Sequence, residues 1–502
     1  MQPRVPQGSN HINPVITRFD RDARAPLQIL ANQAFSRAAG APLLSGNKLQ
    51  LLRNAAENYP AWLEAIAAAK RNIHFESYII HGDEVGQQFA EALAAKAREG
   101  VHVRLIYDWM GALSASSRRL WKSLRQANVE IRCFNRPRLD GPFDWLSRDH
   151  RKMLSVDGRI GFVTGLCVGR NWVGNSERGI EPWRDTGVRF EGPAMRDLER
   201  AFAQMWSAMG TAIPEEDQVG DTPMFLPNGV DLRIVASSPN TAGLYRFDQL
   251  VAAIARRSIW LTDAYFLATA PYVKALGAAA MDGVDVRLLL PRASDIPVVR
   301  ALSRAGYRTL LESGVRIFEW NGSMLHAKTA VADGQWARVG STNLNLASWI
   351  GNWELDVVVE NETFAGEMKQ MYEDDLAHST EIVLSDRKLR RAVPAEPRPR
   401  RGRFAEGSAG RAVSGLLRAG NTVGAAITSR QALGPAELSV LVTVAVLLLC
   451  LALVAVVWPL AIIVPAIVFP IWIAVSLFIR AYRLHATYKR ARASKKSDDS
   501  DS

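Results

Sequence analysis

The sequence predicts an α/β protein made of two duplicated halves, followed by a C-terminal membrane helical hairpin. Three observations carry this expectation: a strand–helix–strand pattern that occurs twice, a His-x-Lys-x-x-x-x-Asp pattern at the same place in each copy, and a long uncharged apolar run near the C-terminus. Strands that alternate with helices bury their apolar faces when the helices pack on a sheet, here expected to be largely parallel. A length of 502 residues with 48% hydrophobic and 22% charged residues fits a globular chain of two or three units rather than a disordered one.

Residues 1–45 are mixed and polar, with scattered Pro and Gly, and read as an irregular lead-in. The first half then spans 46–220. Its run KRNIHFESYIIHGDEVGQQFAEALAAKAREGVHVRLIYD holds a β-rich segment at 73–80, an amphipathic helix over 84–98, a glycine, and a second strand at 101–107. The second half, 221–385, repeats the order in RRSIWLTDAYFLATAPYVKALGAAAMDGVDVRLLLP, with its second strand at 284–290. Both copies carry a tyrosine late in the first strand, Tyr78 and Tyr265, and start the second with Gly-Val-x-Val-Arg-Leu. Such matching is the mark of internal duplication. Each copy continues with a helix (120–127; 298–313) and a strand (129–134; 315–320) before its His motif, and the two motifs stand about one domain length apart.

Residues 386–437 form a basic linker whose start, RKLRRAVPAEPRPRRGR, cannot bury a core, followed by a Gly/Ala-rich stretch compatible with an interfacial helix. From Leu438 to Ile479 there is no charged residue, a run about twice the roughly 20 residues needed to cross a bilayer. Trp458-Pro459 breaks it near the middle, so 438–479 reads as a two-segment transmembrane or re-entrant hairpin. Arg418 and Arg430 precede it, and Arg480, Arg483, Lys489 and Arg490 follow, which places both ends on the cytoplasmic side. The tail 480–502 is basic and then acidic.

The first motif is His150-Arg151-Lys152-Met153-Leu154-Ser155-Val156-Asp157 and the second is His326-Ala327-Lys328-Thr329-Ala330-Val331-Ala332-Asp333, each followed by a glycine. On a strand, residues two apart share a face, so each motif presents an imidazole beside an ammonium. One such pair is half a site for a phosphodiester, and two make a whole one. Ser341 and Asn343 follow the second motif as potential hydrogen-bond donors to phosphate, with Thr164 and Cys167 at the corresponding place after the first. A carboxylate follows each histidine at a comparable distance, Asp185 in the first half and Glu354 in the second, and is expected to orient the imidazole of its own half. A metal site is not expected, since lysine is not a usual ligand and no zinc-like spacing occurs.

A net charge of +11 points to an anionic partner, either a nucleic acid or an acidic lipid surface. The three cysteines, Cys133, Cys167 and Cys450, form no disulfide framework, which fits a reducing compartment. The first residues lack an apolar core of the secretory kind, so the catalytic part is expected in the cytosol.

The paired motifs and what surrounds them resemble the phospholipase D superfamily over about residues 46–380. Gly46-Asn47-Lys48, Ile79, Asp83-Glu84, His150–Gly158 and Asn352–Glu354 resemble its bacterial cardiolipin synthase branch. The resemblance implies two α/β/α sandwich halves with one active site between them and phosphatidyl transfer without a cofactor. It further implies His150 as nucleophile, His326 as general acid and then base, and Lys152 and Lys328 as the groups that neutralise the phosphate. Asp185 and Glu354 would orient the imidazoles, and Asp157 and Asp333 would hold the motif turns. Phospholipid substrates, with phosphatidylglycerol foremost, an anionic membrane partner and a bacterial inner-membrane location follow. The His/Lys core does not distinguish the acceptor, so hydrolysis or headgroup exchange of phospholipids stays open as the alternative; nucleic acid is not expected, because the uncharged run at 438–479 argues against it. Cys167 departs from the pattern, standing where the family usually has Asn. The membrane segment also departs from it, since many of these synthases place theirs at the N-terminus.

Overall fold

The computed structural model describes residues 32–113, 115–137, 147–217, 225–385 and 388–391, with isolated positions between 446 and 482. The first half contributes strands β1 (Leu44–Arg53), β2 (Asn72–Ser77), β3 (His102–Asp108), β4 (Glu130–Phe134), β5 (Lys152–Val156), β6 (Ile160–Thr164) and β7 (Thr186–Glu191). The second contributes β8 (Val230–Ser237), β9 (Ser258–Thr262), β10 (Asp285–Pro291), β11 (Arg316–Trp320), β12 (Thr329–Ala332), β13 (Trp336–Gly340) and β14 (Glu354–Glu360), with β15 (Ser379–Ser385) and β16 (Lys388–Arg391) added at its edge. All belong to one sheet in the order β16-β15-β11-β10-β9-β12-β13-β14-β8-β1-β7-β6-β5-β2-β3-β4. Read outward from the central β1–β8 pair, the seven core strands of the two halves follow the same order, so the duplication extends to topology.

The sheet is not largely parallel. Only β2–β3–β4 and β9–β10–β11 run parallel, and every other pairing is antiparallel. Helical crossovers join the parallel strands, whereas the motif strands β5 and β12 turn straight back into β6 and β13 through Asp-Gly turns. The expectation of a largely parallel sheet rests on the strand–helix–strand units alone, whereas the short turns after each motif strand add antiparallel hairpins β5–β6–β7 and β12–β13–β14.

Local signals account for the elements that position the site. Asp83 caps the helix Glu84–Arg98 by accepting a hydrogen bond from the Gly86 backbone N–H at 3.0 Å, and Val85, Phe89, Leu93 and Ala97 form its buried stripe. Gly100 and the equivalent Gly283 end their helices at φ +91° and +90°, in open space, so the backbone angle and not crowding calls for glycine there. The helix expected over 298–313 splits into Pro297–Ala305 and Tyr307–Glu312 at Gly306, and the strand expected to Ile80 ends at Ser77. The lead-in is not wholly irregular: residues 32–39 are helical, and Phe35 packs on Phe247 with ring centroids 4.8 Å apart.

Three large apolar clusters hold the sheet. One surrounds Trp62, Phe75, Phe89 and Phe162 beneath the first-half helices, and a second surrounds Phe247, Leu261, Tyr272 and Leu288 in the second half. The third joins the halves, with Met153, Val163, Val188 and Phe202 meeting Val331, Val339, Val357 and Met368. The halves are therefore parts of one core, and burying each of these side chains contributes roughly 1.5–3 kcal/mol. Arg184 adds a buried bidentate pair to Asp375 across the halves, at 2.8 and 2.9 Å.

Among the described residues no helix is long and apolar enough to cross a membrane. Most of the hairpin expected at 438–479 lies outside the described residues, as do 1–31, 392–437 and nearly all of 480–502.

Candidate active site

The two motifs meet where the halves face each other. Neither histidine sits inside a strand. His150 precedes β5 and His326 precedes β12, each in an extended segment that pairs with the other half. The His150 N–H donates to the Trp353 carbonyl at 2.9 Å and the Trp353 N–H to that of Arg148 at 2.8 Å. In the same way His326 donates to Arg184 at 2.7 Å, and Arg184 to Met324 at 2.9 Å. Two short backbone ladders thus lay each histidine against the segment that carries the opposite half's carboxylate.

The side chains follow that register. His150 Nδ1 lies 2.9 Å from Glu354 Oε2, and His326 Nδ1 lies 2.7 Å from Asp185 Oδ2. This corrects the expectation that each carboxylate serves its own histidine: Asp185 and Glu354 are exchanged between halves. Both carboxylates are fully buried and held by further donors. Glu354 accepts from the Ser341 hydroxyl at 2.6 Å, and Asp185 accepts from the Trp172 indole at 3.0 Å and the Thr186 backbone N–H at 2.9 Å.

The electrostatics are those of two neutral imidazoles between carboxylates and ammoniums. Burial pushes His150 down to about 4; Glu354 opposes the shift, while Lys152 and Lys328 add to it. Burial, followed by Lys328, pushes His326 down to about 3, against Asp185. Burial alone would raise both carboxylates, yet Asp185 is held below its ordinary range by His326 and Lys328, and Glu354 by His150 and Lys152. Burial also lowers Lys328 to about 8, with Lys152 adding to the shift. Each imidazole therefore donates Nδ1–H to an ionised carboxylate and keeps a lone pair on Nε2. The lysines are buried as well; Lys152 reaches the His150 carbonyl and Lys328 that of His326.

The remaining expected residues divide into two groups. Asp157 and Asp333 lie at the far ends of the motif strands, in the left-handed region at φ +54° and +53°. Asp157 accepts from the backbone N–H groups of Lys70, Arg71 and Asn72, and Asp333 from those of Arg256, Arg257 and Ser258, so each ties its turn to the start of β2 or β9. Thr164 is also part of the scaffold: its hydroxyl donates to the Thr186 carbonyl at 3.2 Å. Ser341, expected to face phosphate, instead spends its hydroxyl on Glu354. Asn343 and Cys167 occupy equivalent buried positions, and Asn343 Oδ1 has no hydrogen-bond partner.

Two aromatic features lay outside the expected site. Tyr78 stands edge-on to His150 at 5.1 Å and Tyr265 to His326 at 6.0 Å, with Lys152 and Lys328 over the same rings at 5.3 and 5.9 Å. Their recurrence in both copies was the available signal. Trp172 and Trp183 flank His326 at 5.5 and 5.7 Å, and no spacing announced them.

Residues 62–206 and 250–376 match the family model described as "Cardiolipin synthase, PLD-like domain". This chain belongs to the phospholipase D-like cardiolipin synthase family. It is 34% identical over 366 residues to cardiolipin synthase A of Pseudomonas aeruginosa, covering 71% of this chain and 72% of that relative. To a cardiolipin synthase of Geobacillus thermodenitrificans it is 32% identical over 380 residues, 75% of this chain and 74% of the other. The fold of this family member is also that of a crystal structure of phosphatidylserine synthase from Haemophilus influenzae, at a TM-score of 0.55 and 14% identity over 70% of this chain and 91% of that one.

Proposed function

We propose that this chain moves a phosphatidyl group from one phosphatidylglycerol to another, forming cardiolipin and releasing glycerol, through a phosphohistidine on His150. The observation that carries the reading is the crosswise pairing of two neutral imidazoles with buried carboxylates, His150 with Glu354 and His326 with Asp185, beside two lysines. His150 Nε2 attacks phosphorus; the N–P bond forms as the bond to the glycerol oxygen breaks, and His326 gives that oxygen its proton. The glycerol hydroxyl of a second phosphatidylglycerol then enters, His326 takes its proton, and the new O–P bond replaces the N–P bond. Lys152 and Lys328 offset the charge on the non-bridging oxygens throughout. An arriving phosphodiester offsets the two ammoniums in turn and so favours the imidazolium form that His326 needs as an acid.

The site lies at a membrane in this reading, with the catalytic part on the cytoplasmic face of a bacterial inner membrane and 438–479 as its hairpin. The uncharged run with basic flanks supports it, as do the described positions in that run, which are helical and, apart from the half-buried Trp472, exposed, Leu449 at 70% and Phe478 at 78%. No cofactor enters the scheme.

Incubation with purified phosphatidylglycerol is expected to give cardiolipin and glycerol in equal amounts by mass spectrometry. Phosphatidic acid alone would assign hydrolysis, and cleavage of nucleic acid without lipid turnover would sink the lipid reading. His150→Ala and His326→Ala should each lower turnover by roughly 10³-fold or more. A denaturing detergent quench held at alkaline pH, where an N–P bond survives, with lipid labelled on phosphorus should leave label on the wild-type chain and on His326→Ala but not on His150→Ala; label on His150→Ala reverses the two roles.

A further inference from the structure

The exposed aliphatic residues of the catalytic region are not scattered evenly. Lys152 pairs with Ser77 at the C-terminal end of β2, and Thr329 with Thr262 at that of β9, so the histidines stand at the end of the sheet where β2, β3, β9 and β10 finish. The loops after β3 and β10, and those joining β6 to β7 and β13 to β14, leave the sheet at this same end. Leu113 follows β3 at 47% exposure and Val298 follows β10 at 48%. Val173 (50%) and Ile180 (47%) lie between Cys167 and Asp185, and Leu346 (38%) and Ile350 (42%) lie between Asn343 and Glu354. Each half thus exposes three aliphatic side chains at equivalent places, and the β6–β7 and β13–β14 connections lie against the other half's histidine.

A cluster of exposed apolar side chains around a charged cleft marks an interaction surface. Its occupant must carry an anion for the lysines and hydrocarbon for the rim. Arg118, Arg119, Arg136, Arg178 and Arg300 are exposed at this end against Glu177 and Glu181, while Arg170 is paired with Glu84. This surplus of positive charge complements an anionic lipid surface. Away from this end, Ile254 and Met281 are exposed at the ends of two helices, Phe225 ahead of β8, and Val383 and Leu384 side by side in the edge strand β15, but none of them borders the cleft that holds the histidines.

Resting on the phosphatidyl-transfer reading, we infer that the catalytic end is a membrane-docking face. Its aliphatic rim, Leu113, Val173, Ile180, Val298, Leu346 and Ile350, seats in the surface of an anionic bilayer and lowers the lysine cradle onto a headgroup whose acyl chains stay in the hydrocarbon. Docking of this kind acts on substrate held in a bilayer and not on a substrate free in water.

The test reconstitutes the full chain in phosphatidylglycerol vesicles and compares it with turnover of a short-chain, monomeric phosphatidylglycerol. The variant Val173→Ser/Ile180→Ser/Leu346→Ser/Ile350→Ser should lose roughly tenfold or more of its kcat/KM on vesicles and stay within about twofold of wild type on the monomer. Ile254→Ser/Met281→Ser should leave both substrates unchanged. Unchanged vesicle turnover in the fourfold variant overturns the proposal and assigns the rim to a protein contact. Equal loss on both substrates overturns it too, assigning the loops to the shape of the site. A wild-type chain that turns over neither lipid overturns the phosphatidyl-transfer reading, and the docking face with it.

Discussion

The two halves present the same reacting groups on different supports. In the second half, the turn Ser341-Thr342-Asn343 rests on buried charges: Arg338 lies between Asp248 and Asp356 at 3.6 and 3.5 Å, and Thr342 donates to Asp356. In the first half the same strand position holds Phe162, which packs on Trp62 at a centroid distance of 6.4 Å, and Gly187 stands opposite where the second half has Asp356. The donors to the carboxylates differ as well. Ser341 steadies Glu354, but Gly165 stands where a serine would be, and an added Cβ there would come 2.2 Å from Asp185 Oδ1; Trp172 supplies the hydrogen bond instead. The phosphate chemistry requires imidazole, carboxylate and ammonium in both halves. What holds them in place is free to be ionic or apolar, provided it is buried and satisfied.

The sharpest way to break the equivalence is at the exchanged carboxylates. Glu354→Gln and Asp185→Asn should each lower kcat by roughly 10³-fold, since each leaves its imidazole without the anion that fixes the Nδ1–H tautomer. Losses that differ widely would show that the halves orient their histidines unequally. Next in size is the contrast in support. Arg338→Met leaves Asp248 and Asp356 buried without their cation and should cost about 3–5 kcal/mol in chemical denaturation. Phe162→Ala should cost a similar amount, about 3–5 kcal/mol, through a cavity.

The pH profile of kcat comes third, read on the lipid-bound enzyme, in which the phosphodiester favours the His326 imidazolium. His150 is neutral down to about pH 4, so the acid limb should fall well below the pH near 6.5 at which a free imidazole titrates. Lys328, lowered to about 8, loses its ammonium as pH rises through that value, so activity should decline above it. Lys328→Arg should move the alkaline limb upward whatever its effect on rate. The smallest effect concerns the asymmetric pair. Asn343→Ala should lower kcat/KM by roughly tenfold, the worth of one hydrogen bond to a charged group, whereas Cys167→Ser should stay within about twofold. A larger loss at Cys167 would mean that the thiol does what the amide does.

Much of the site was legible because its parts are short-range patterns. His150 and Lys152, like His326 and Lys328, are two residues apart in motifs that recur with the duplication, and Tyr78 and Tyr265 recur with them. The partnership of Asp185 and Glu354 differs from the expected one for a physical reason. Distance along the chain favoured pairing each with the histidine of its own half, and only the Arg148–Trp353 and Met324–Arg184 backbone pairings bring the opposite carboxylate within 3 Å. The type and spacing of Ser341 suit a phosphate contact, but Glu354 lies close enough in space to claim its hydroxyl. Trp172 belongs to no repeated pattern, so nothing in the sequence marks it as the donor to Asp185.

The residues alone determined the α/β class, the duplication, the paired His/Lys motifs and the uncharged run at 438–479, because composition and periodicity are local properties of a chain. The tertiary structure decided that the sheet is mostly antiparallel, that the halves share one core through β1 and β8, and that each half completes the other's histidine. Those are contacts between residues up to about 200 positions apart, such as His150 and Glu354, chosen by strand register and burial rather than by any spacing along the chain.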